Sequence, residues 1–319
     1  MKKIISIILI GVMALCLLSS CGKAEKKADN INVSVLNGTT GFGMAYLMEQ
    51  NTNSASSNKY TFSVETDASV ITSALIKGDI DIAALPTNAA SNLYNKTKGG
   101  VQIIAINTLG VLYVVENGGS IKSIKDLEGK TIYCPAQNPK FILEYILTKN
   151  NVSATIDTTY AAPADLRTAV AAGKVEIAVL PEPMVTIAKS ANKSLNVALD
   201  LTDEWNNTEA ENSLVQGCVV VRTEFAKEYP DSVSLFLDEY KKSIEYVNEN
   251  PEGAAELITK YNIFANQNVA KAAIPRCNIS FLEGSEMKNA MSAFLSAMYS
   301  VNPASIGGAL PDDDFYYSR

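Results

Sequence analysis

The sequence of 319 residues contains no histidine, and this absence limits the chemistry that the chain can perform. Without histidine there is no Ser-His-Asp or Cys-His catalytic set, no histidine-ligated metal site and no side chain that ordinarily titrates near neutral pH. Neither GxGxxG nor GxxxxGK[ST] occurs, and no pair of acidic residues is placed for acid–base catalysis. The chain is therefore not predicted to be an enzyme, and no metal or cofactor is expected.

Cysteines and basic residues are also few. Of the five cysteines, two fall within the first 21 residues, which leaves Cys134, Cys218 and Cys277. A secreted domain held by disulfides normally has an even and denser set, so these three are predicted to be buried thiols. The formal net charge is −7, with 34 acidic against 27 basic residues. An acidic chain without a long basic run argues against nucleic acid as a partner.

The most apolar segment of the sequence lies at the N-terminus. Residues 4–18 are almost wholly apolar, but this run is shorter than the roughly 20 residues that a permanent membrane-spanning helix needs. It fits the apolar core of a secretory signal instead. We therefore predict a signal peptide over residues 1–20.

The signal ends in Leu18-Ser19-Ser20-Cys21, which resembles the cleavage box of bacterial lipoproteins. In that class the cysteine receives a diacylglycerol, and two acyl chains anchor a protein stably. We expect a lipidated Cys21, a polar tether over residues 21–30 and attachment to the extracytoplasmic face of the cell membrane. The alternative is an ordinary signal peptide with a cysteine there by chance.

One sequence pattern occurs twice in the chain. Residues 74–86 (ALIKGDIDIAALP) and 169–181 (AVAAGKVEIAVLP) align without a gap. Each copy is typical of a helix end, a glycine turn, a buried strand and a loop that begins with proline. Two copies predict two similar α/β lobes that face each other across a cleft.

The order of the predicted elements supports this. Strands alternate with helices from residue 31 onward, as in parallel sheets with right-handed crossovers, and a second such series starts with a strand at residues 130–134. The β-branched run at residues 214–222 is expected to return the chain to the first lobe. The remainder of the chain is predicted to be helical and to cover that lobe.

We therefore predict an α/β fold of two similar lobes, each with a mostly parallel sheet flanked by helices. The predicted first lobe comprises residues 31–113 and 219–319, and the second comprises residues 114–218.

Four loops are the candidate binding site. In open α/β sheets, ligands bind outside the carboxyl ends of the strands. This rule selects residues 38–43, 86–88, 135–139 and 181–184, two loops from each lobe. They are rich in hydroxyl and amide side chains, and Glu182 is the acid among them. Such loops suit a small polar solute that could offer an amine or a ring N–H to Glu182.

Two aromatic residues, Phe42 and Trp205, could stack on a flat ligand. The alternatives are that both rings only pack the fold, that the polar loop residues are helix caps and that Glu182 is a surface acid. The complete set of candidate ligand-binding residues is Gly38, Thr39, Thr40, Gly41, Phe42, Pro86, Thr87, Asn88, Gln137, Asn138, Glu182 and Trp205.

The ordered set of motifs resembles a known family, the substrate-binding lipoproteins of ABC importers of the nitrate, taurine and alkanesulfonate type, with their thiamine-pyrimidine-precursor relatives. The resemblance extends over residues 31–317. It rests on the lipoprotein box and on VSVLNGTTGFGMAYLM, DIAALPTN, LGVLYVVE, IAVLPEP, GCVVVRTEF and GGALPDDDFYY. Thr39 stands where the family commonly has proline, and the arginine expected of a sulfonate or nitrate binder is not evident.

The resemblance implies the type II periplasmic-binding-protein fold, in which two crossover segments act as a hinge. Here these would be residues 108–116 and 215–221. It further implies a monomer that captures a small polar solute, of which a heterocycle is one kind, and delivers it to a membrane permease. The alternative is an enzyme, a lyase or a pyrimidine-forming protein, on the same two-lobed body.

Overall fold

The structure is a computed structural model that describes residues 26–208 and 210–319. The predicted signal peptide, Cys21 and the first half of the predicted tether lie outside the described residues. The rest of the tether runs along the first lobe, where the Lys26 backbone N–H donates to Asp231 Oδ2 at 2.8 Å. Nowhere in residues 26–208 or 210–319 is a helix both long and apolar enough to cross a membrane.

Strands and helices alternate through most of the described chain. The strands are β1 (Ile31–Leu36), β2 (Tyr60–Glu65), β3 (Ile82–Pro86), β4 (Val101–Thr108), β5 (Leu112–Glu116), β6 (Thr131–Tyr133), β7 (Thr155–Asp157), β8 (Ile177–Pro181), β9 (Asn196–Asp200), β10 (Gly217–Arg222) and β11 (Ile279–Leu282). The α-helices are α1 (Thr39–Phe42), α2 (Ala45–Thr52), α3 (Ala68–Lys77), α4 (Thr87–Thr97), α5 (Asn138–Lys149), α6 (Pro163–Ala171), α7 (Met184–Ala191), α8 (Leu201–Asn206), α9 (Thr223–Glu228), α10 (Pro230–Glu249), α11 (Pro251–Lys260), α12 (Gln267–Ala273) and α13 (Gly284–Val301).

The first sheet has the strand order β11-β4-β10-β3-β1-β2. Strand β1 pairs in parallel with both β2 and β3, while β10 runs antiparallel to β3 and to β4. Strands β1 to β4 therefore point in one direction, and their carboxyl ends share one edge. This sheet and its helices form the first lobe.

The second sheet has the order β7-β6-β8-β5-β9. Strand β6 pairs in parallel with β7 and β8, and β5 runs antiparallel to β8 and β9. This sheet and its helices form the second lobe. The prediction of an α/β fold with two mostly parallel sheets flanked by helices is confirmed.

Two crossovers join the lobes. The chain leaves β4 for β5 through residues 109–111 and returns from α8 to β10 through residues 207–216. Gln216 links them, because its backbone N–H donates to Thr108 O at 2.9 Å and its side-chain Oε1 accepts from the Val111 N–H at 2.7 Å. Both crossovers therefore lie side by side.

The predicted lobe bounds differ from the structure by a few residues at each crossover. Leu112 and Tyr113, expected in the first lobe, pair within the second sheet. Gly217 and Cys218, expected in the second lobe, pair within the first sheet. At the first crossover the reason is that apolar residues continue almost without a break over residues 109–115, so the sequence contains no polar boundary there.

The two copies of the repeat occupy equivalent positions. Helix α3 ends at Gly78, which has a φ of 80°, and α6 is followed by Gly173, which has a φ of 69°. Glycine adopts this left-handed conformation without a steric cost, which explains the helix ends. The strands that follow, β3 and β8, are each buried and lie beside a strand that is reached by a crossover.

The long helix α13 packs against both lobes, and this corrects the expectation that the C-terminal helices cover only the first. Phe294 of α13 lies with its ring centre 5.8 Å from that of Trp205, which in turn lies 4.6 Å from Tyr145 of α5. Residues of both sheets and of α13 belong to one continuous apolar core. The lobes are therefore packed together along one side.

The three cysteines are buried free thiols, as the sequence predicted. Burial raises the pKa of Cys134, Cys218 and Cys277 above the ordinary value. Because the thiolate is the reactive form, these cysteines are expected to be poorly reactive toward alkylating reagents.

Candidate functional site

Two adjoining cavities lie where the sheet edges of the two lobes meet. The larger has a volume of about 780 Å³ and the smaller about 430 Å³, and Asn88 and Gln137 line both. Of the twelve candidate residues from the sequence, four line these cavities: Pro86, Asn88, Gln137 and Asn138. Two of these come from each lobe, so a ligand there would contact both lobes at once.

Asn88 lies at the site because β3 ends at Pro86 and α4 begins immediately after it. The Asn88 carbonyl accepts from Asn92 Nδ2 at 2.8 Å, as expected within a helix turn. Its side-chain amide forms no hydrogen bond with any described residue. A donor and an acceptor are therefore available to a ligand in the cavity.

Gln137 has an unusual backbone conformation, with a φ of 63° and a ψ of −125°. A non-glycine residue in a sparsely populated conformation costs roughly 1–3 kcal/mol, and such residues cluster at functional sites. Its side chain is exposed and makes no hydrogen bond within the described part of the chain. The fold thus holds a free amide at the junction of the two cavities.

Asn138 lies beside Gln137 and begins α5. Its Oδ1 atom is buried without a hydrogen-bond partner among the described residues. Burying an unpaired polar atom is unfavourable, so this loop contains two costly features in successive residues.

Phe141 is the aromatic residue of the site, and the sequence analysis missed it. It lines the larger cavity one helical turn after Gln137, and Lys140 Nζ lies 5.9 Å from its ring centre. Its position just after the candidate loop 135–139, near the start of the following helix, was a signal that could have identified it. Leu93 and the exposed Ile76 add apolar surface from the first lobe.

The C-terminal segment forms a wall of the larger cavity, through residues 302–307. Helix α4 fixes this segment by side-chain hydrogen bonds: Ser91 Oγ donates to Ile306 O at 2.8 Å and Asn92 Nδ2 donates to Ser305 O at 2.8 Å. No local pattern signals these contacts, because the partners are more than 200 residues apart in sequence.

The first candidate loop, which contains Gly38, Thr39, Thr40 and Gly41, does not line either cavity. It packs on its own lobe: the Gly38 N–H donates to Ile263 O at 3.0 Å, and Thr40 O accepts from Asn107 Nδ2 at 2.9 Å. A Cβ atom at Gly41 would lie 2.5 Å from Leu36 O, so only glycine fits this approach to β1.

Three further candidates have structural roles, and this corrects the expectation that they contact a ligand. Phe42 is fully buried and packs edge to face on Phe264, and Trp205 is also fully buried. Thr87 is buried too, and its Oγ1 donates to Val215 O in the return crossover at 2.9 Å. None of these side chains is accessible to a solute in this structure.

Glu182 also differs from expectation, because it pairs with an arginine of the opposite lobe. Arg276 Nε donates to Glu182 Oε1 at 2.6 Å, while the Glu182 side chain has no exposed surface. The expected contact with a ligand amine is unavailable while this pair is formed. The sequence could not indicate Arg276, since it stands in a helical region 94 residues away.

The cavities are nearly neutral. Lys96 is the charged residue that lines the larger cavity, and the lining of the smaller one contains no charged residue. Over residues 26–208 and 210–319, no cluster of three or more acidic or cysteine side chains could hold a metal ion. The arrangement can therefore bind a small ligand through amides, but it offers no evident reactive group.

Comparison with known proteins agrees with this geometry. Residues 98–254 match the family model described as NMT1/THI5 like. A structure described as an ABC transporter from Parabacteroides distasonis is 26% identical, with a TM-score of 0.77, and the match covers 92% of this chain and 100% of that chain. Over almost its whole length, the chain is therefore similar to a protein of an ABC transporter.

Two more distant solute-binding proteins share the fold. The periplasmic aliphatic sulphonate binding protein SsuA of Escherichia coli is 14% identical with a TM-score of 0.70, and the match covers 92% of this chain and 93% of that chain. The alkanesulfonate-binding protein SsuA of Xanthomonas axonopodis pv. citri, bound to MOPS, is 14% identical with a TM-score of 0.62, over 90% and 96% of the two chains. No curated protein matches by sequence.

These findings confirm the predicted resemblance and the periplasmic-binding-protein fold. The two SsuA proteins are named as binding proteins, and at 14% identity they show that the fold is shared.

Proposed function

We propose that this chain is the solute-binding component of an ABC importer, which captures a small, polar, uncharged solute between its two lobes and delivers it to a membrane permease. The observation that supports this is the pair of adjoining cavities, in which Asn88 of one lobe and Gln137 of the other present unpaired amides. Contacts to both lobes favour closure around a ligand, as in other two-lobed binding proteins.

The solute class follows from the lining. Amides can match a ligand that has neighbouring donors and acceptors, and Phe141 with Leu93 can pack on an apolar or ring-shaped part of it. A sulfonate, as bound by the distant relatives, is less suited, because Lys96 is the cation in the lining and Arg276 is already paired with Glu182. A neutral heterocycle fits both the amide and apolar lining and the lack of a free arginine.

The test is a thermal-shift screen of the unlipidated chain from residue 22 against neutral heterocycles, amino acids and sulfonates. A ligand that binds only the folded state stabilises it by about 2.7 kcal/mol at a hundredfold excess over its Kd. A shift with a heterocycle supports the proposal, and a shift only with sulfonates contradicts the proposed solute class. Mass spectrometry of the denatured protein identifies a solute that purifies with the chain.

Replacing Asn88 with alanine is expected to weaken binding of the screened ligand about tenfold, because one good polar contact contributes about 1–1.5 kcal/mol. Isothermal titration measures the change. Asn53→Ala is the matched control, since Asn53 is exposed at the end of α2 and lines neither cavity. Equal affinities of the two variants would exclude Asn88 from the site.

We also propose that the chain acts as a monomer anchored through Cys21 on the extracytoplasmic face of the cell membrane. The lipoprotein box supports the anchoring through Cys21. Cys21→Ser is expected to move the protein from the membrane fraction to the soluble fraction after export, because a lipid with two acyl chains supplies the stable attachment. Fractionation and immunoblotting measure it, and a Cys16→Ser variant, which leaves Cys21 intact, should stay with the membrane.

A further inference from the structure

One ion pair connects the two lobes at a point where neither partner lines the two cavities. Glu182 follows β8 of the second lobe, and Arg276 ends the short 3-10 helix Ile274–Arg276 that precedes β11 of the first. Arg276 Nε donates to Glu182 Oε1 at 2.6 Å, and Arg276 Nη2 donates to Thr186 Oγ1 at 2.8 Å. One guanidinium therefore holds two residues of the opposite lobe.

Hydrogen bonds other than those to Arg276 hold Glu182 in place. Glu182 Oε2 accepts from the Thr186 backbone N–H at 3.1 Å, and the Glu182 N–H donates to Val111 O at 2.9 Å. The carboxylate has no exposed surface, whereas 40% of the arginine side chain is exposed. A buried carboxylate depends on its partner, because an unpaired buried charge is strongly unfavourable.

The segment that contains Arg276 is fixed against the first crossover and the strand β5 that follows it. The Tyr113 hydroxyl donates to Arg276 O at 2.9 Å, and the Leu109 N–H donates to Asn278 O at 3.0 Å. Helix α12, which precedes this segment, also packs against α7 of the second lobe. The guanidinium is therefore placed by the backbone around it and does not depend on a bound ligand.

We propose that Glu182, Thr186 and Arg276 form an inter-lobe latch that keeps the lobes together before a solute binds. The link to solute affinity rests on the function proposed above. The apparent affinity of a protein whose binding-competent form is only partly populated falls in proportion to that population. The latch thus sets the affinity of the site from outside the cavities.

Spin labels test the latch without any ligand. Thr66 and Thr159 are exposed and follow β2 and β7, the edge strands on the far side of each sheet from the crossover strands. Because these edge strands lie farthest from the crossover strands in their sheets, hinge motion is expected to change the separation of the two positions. Cysteines introduced there can be labelled selectively, because Cys134, Cys218 and Cys277 are buried. Double electron–electron resonance then gives the distance distribution.

Arg276→Gln is expected to broaden this distribution and shift it to longer distances. The matched control is Arg222→Gln, which removes the pair between Arg222 Nη2 and Asp81 Oδ1, 2.7 Å apart and confined to the first lobe. This control should lower stability and leave the distance unchanged. Glu182→Gln, which keeps the shape of the side chain, should open the lobes as Arg276→Gln does.

Unchanged distances in both latch variants would overturn the proposal, as would equal opening in Arg222→Gln. For a ligand found in the thermal-shift screen, opening should also weaken the apparent affinity about tenfold if the closed population falls to about a tenth. The distance measurement needs no ligand and can be made even if the thermal-shift screen finds none. Failure of the latch and failure of solute binding are therefore distinguishable.

Discussion

Replacing Trp205 with alanine is expected to destabilise the protein by about 3–5 kcal/mol, the usual cost of truncating a large buried aromatic residue. Trp205 is fully buried and contacts Tyr145 and Phe294, which belong to the second lobe and to α13. Its Nε1 donates to Ala210 O at 2.8 Å and to Ser213 Oγ at 3.0 Å. The variant therefore loses core packing and two hydrogen bonds that hold the return crossover.

Urea unfolding followed by circular dichroism measures this change, since Trp205 is the only tryptophan and its fluorescence disappears with it. Tyr299→Ala is the control, because Tyr299 lies on the same helix α13 but is 38% exposed. That substitution should change the free energy of unfolding by less than about 0.5 kcal/mol. A loss at Trp205 no larger than that of the control would show that this residue does not stabilise the core between the lobes.

Replacing Gln137 with glycine is expected to have opposite effects on stability and on binding. Relief of the strained backbone stabilises by roughly 1–3 kcal/mol, and the added freedom of the unfolded chain removes up to about 1 kcal/mol of this. The melting temperature should therefore rise. Affinity for the ligand found in the thermal-shift screen should fall about tenfold, because the amide shared by the two cavities is lost.

Ser54→Gly is the matched control. Ser54 also has a positive φ, of 56°, but it is exposed after α2 and lines neither cavity. Its replacement should leave affinity unchanged. If Gln137→Gly lowers both the melting temperature and the affinity, the glutamine supports the fold and its strain serves no binding role.

The architecture could be predicted because it depends on patterns that recur along the chain. The repeat at residues 74–86 and 169–181 contains a helix, a glycine with positive φ and a buried strand in the same order, and these local preferences fix two equivalent units. The lobe bounds were missed by a few residues, because the apolar run through Val111 to Glu116 contains no break at the point where the chain changes sheets.

The residues that line the two cavities could be predicted only in part. The strand-end rule selected Asn88 and Gln137, which line both cavities. The same rule also selected Thr87 and Phe42, whose side chains turn into the fold. Strand ends are set by local sequence, but the direction of each side chain depends on the packing around it.

By itself, the sequence determined the class of the fold, the doubling of its lobes, the burial of its cysteines and two of the loops that line the cavities. All of these follow from periodicity, turn residues and composition within short stretches. Only the tertiary structure decided that Arg276 reaches Glu182, that α13 packs against both lobes and that residues 302–307 wall the larger cavity. These contacts join residues far apart in the chain, and no local preference specifies which distant partner a side chain meets.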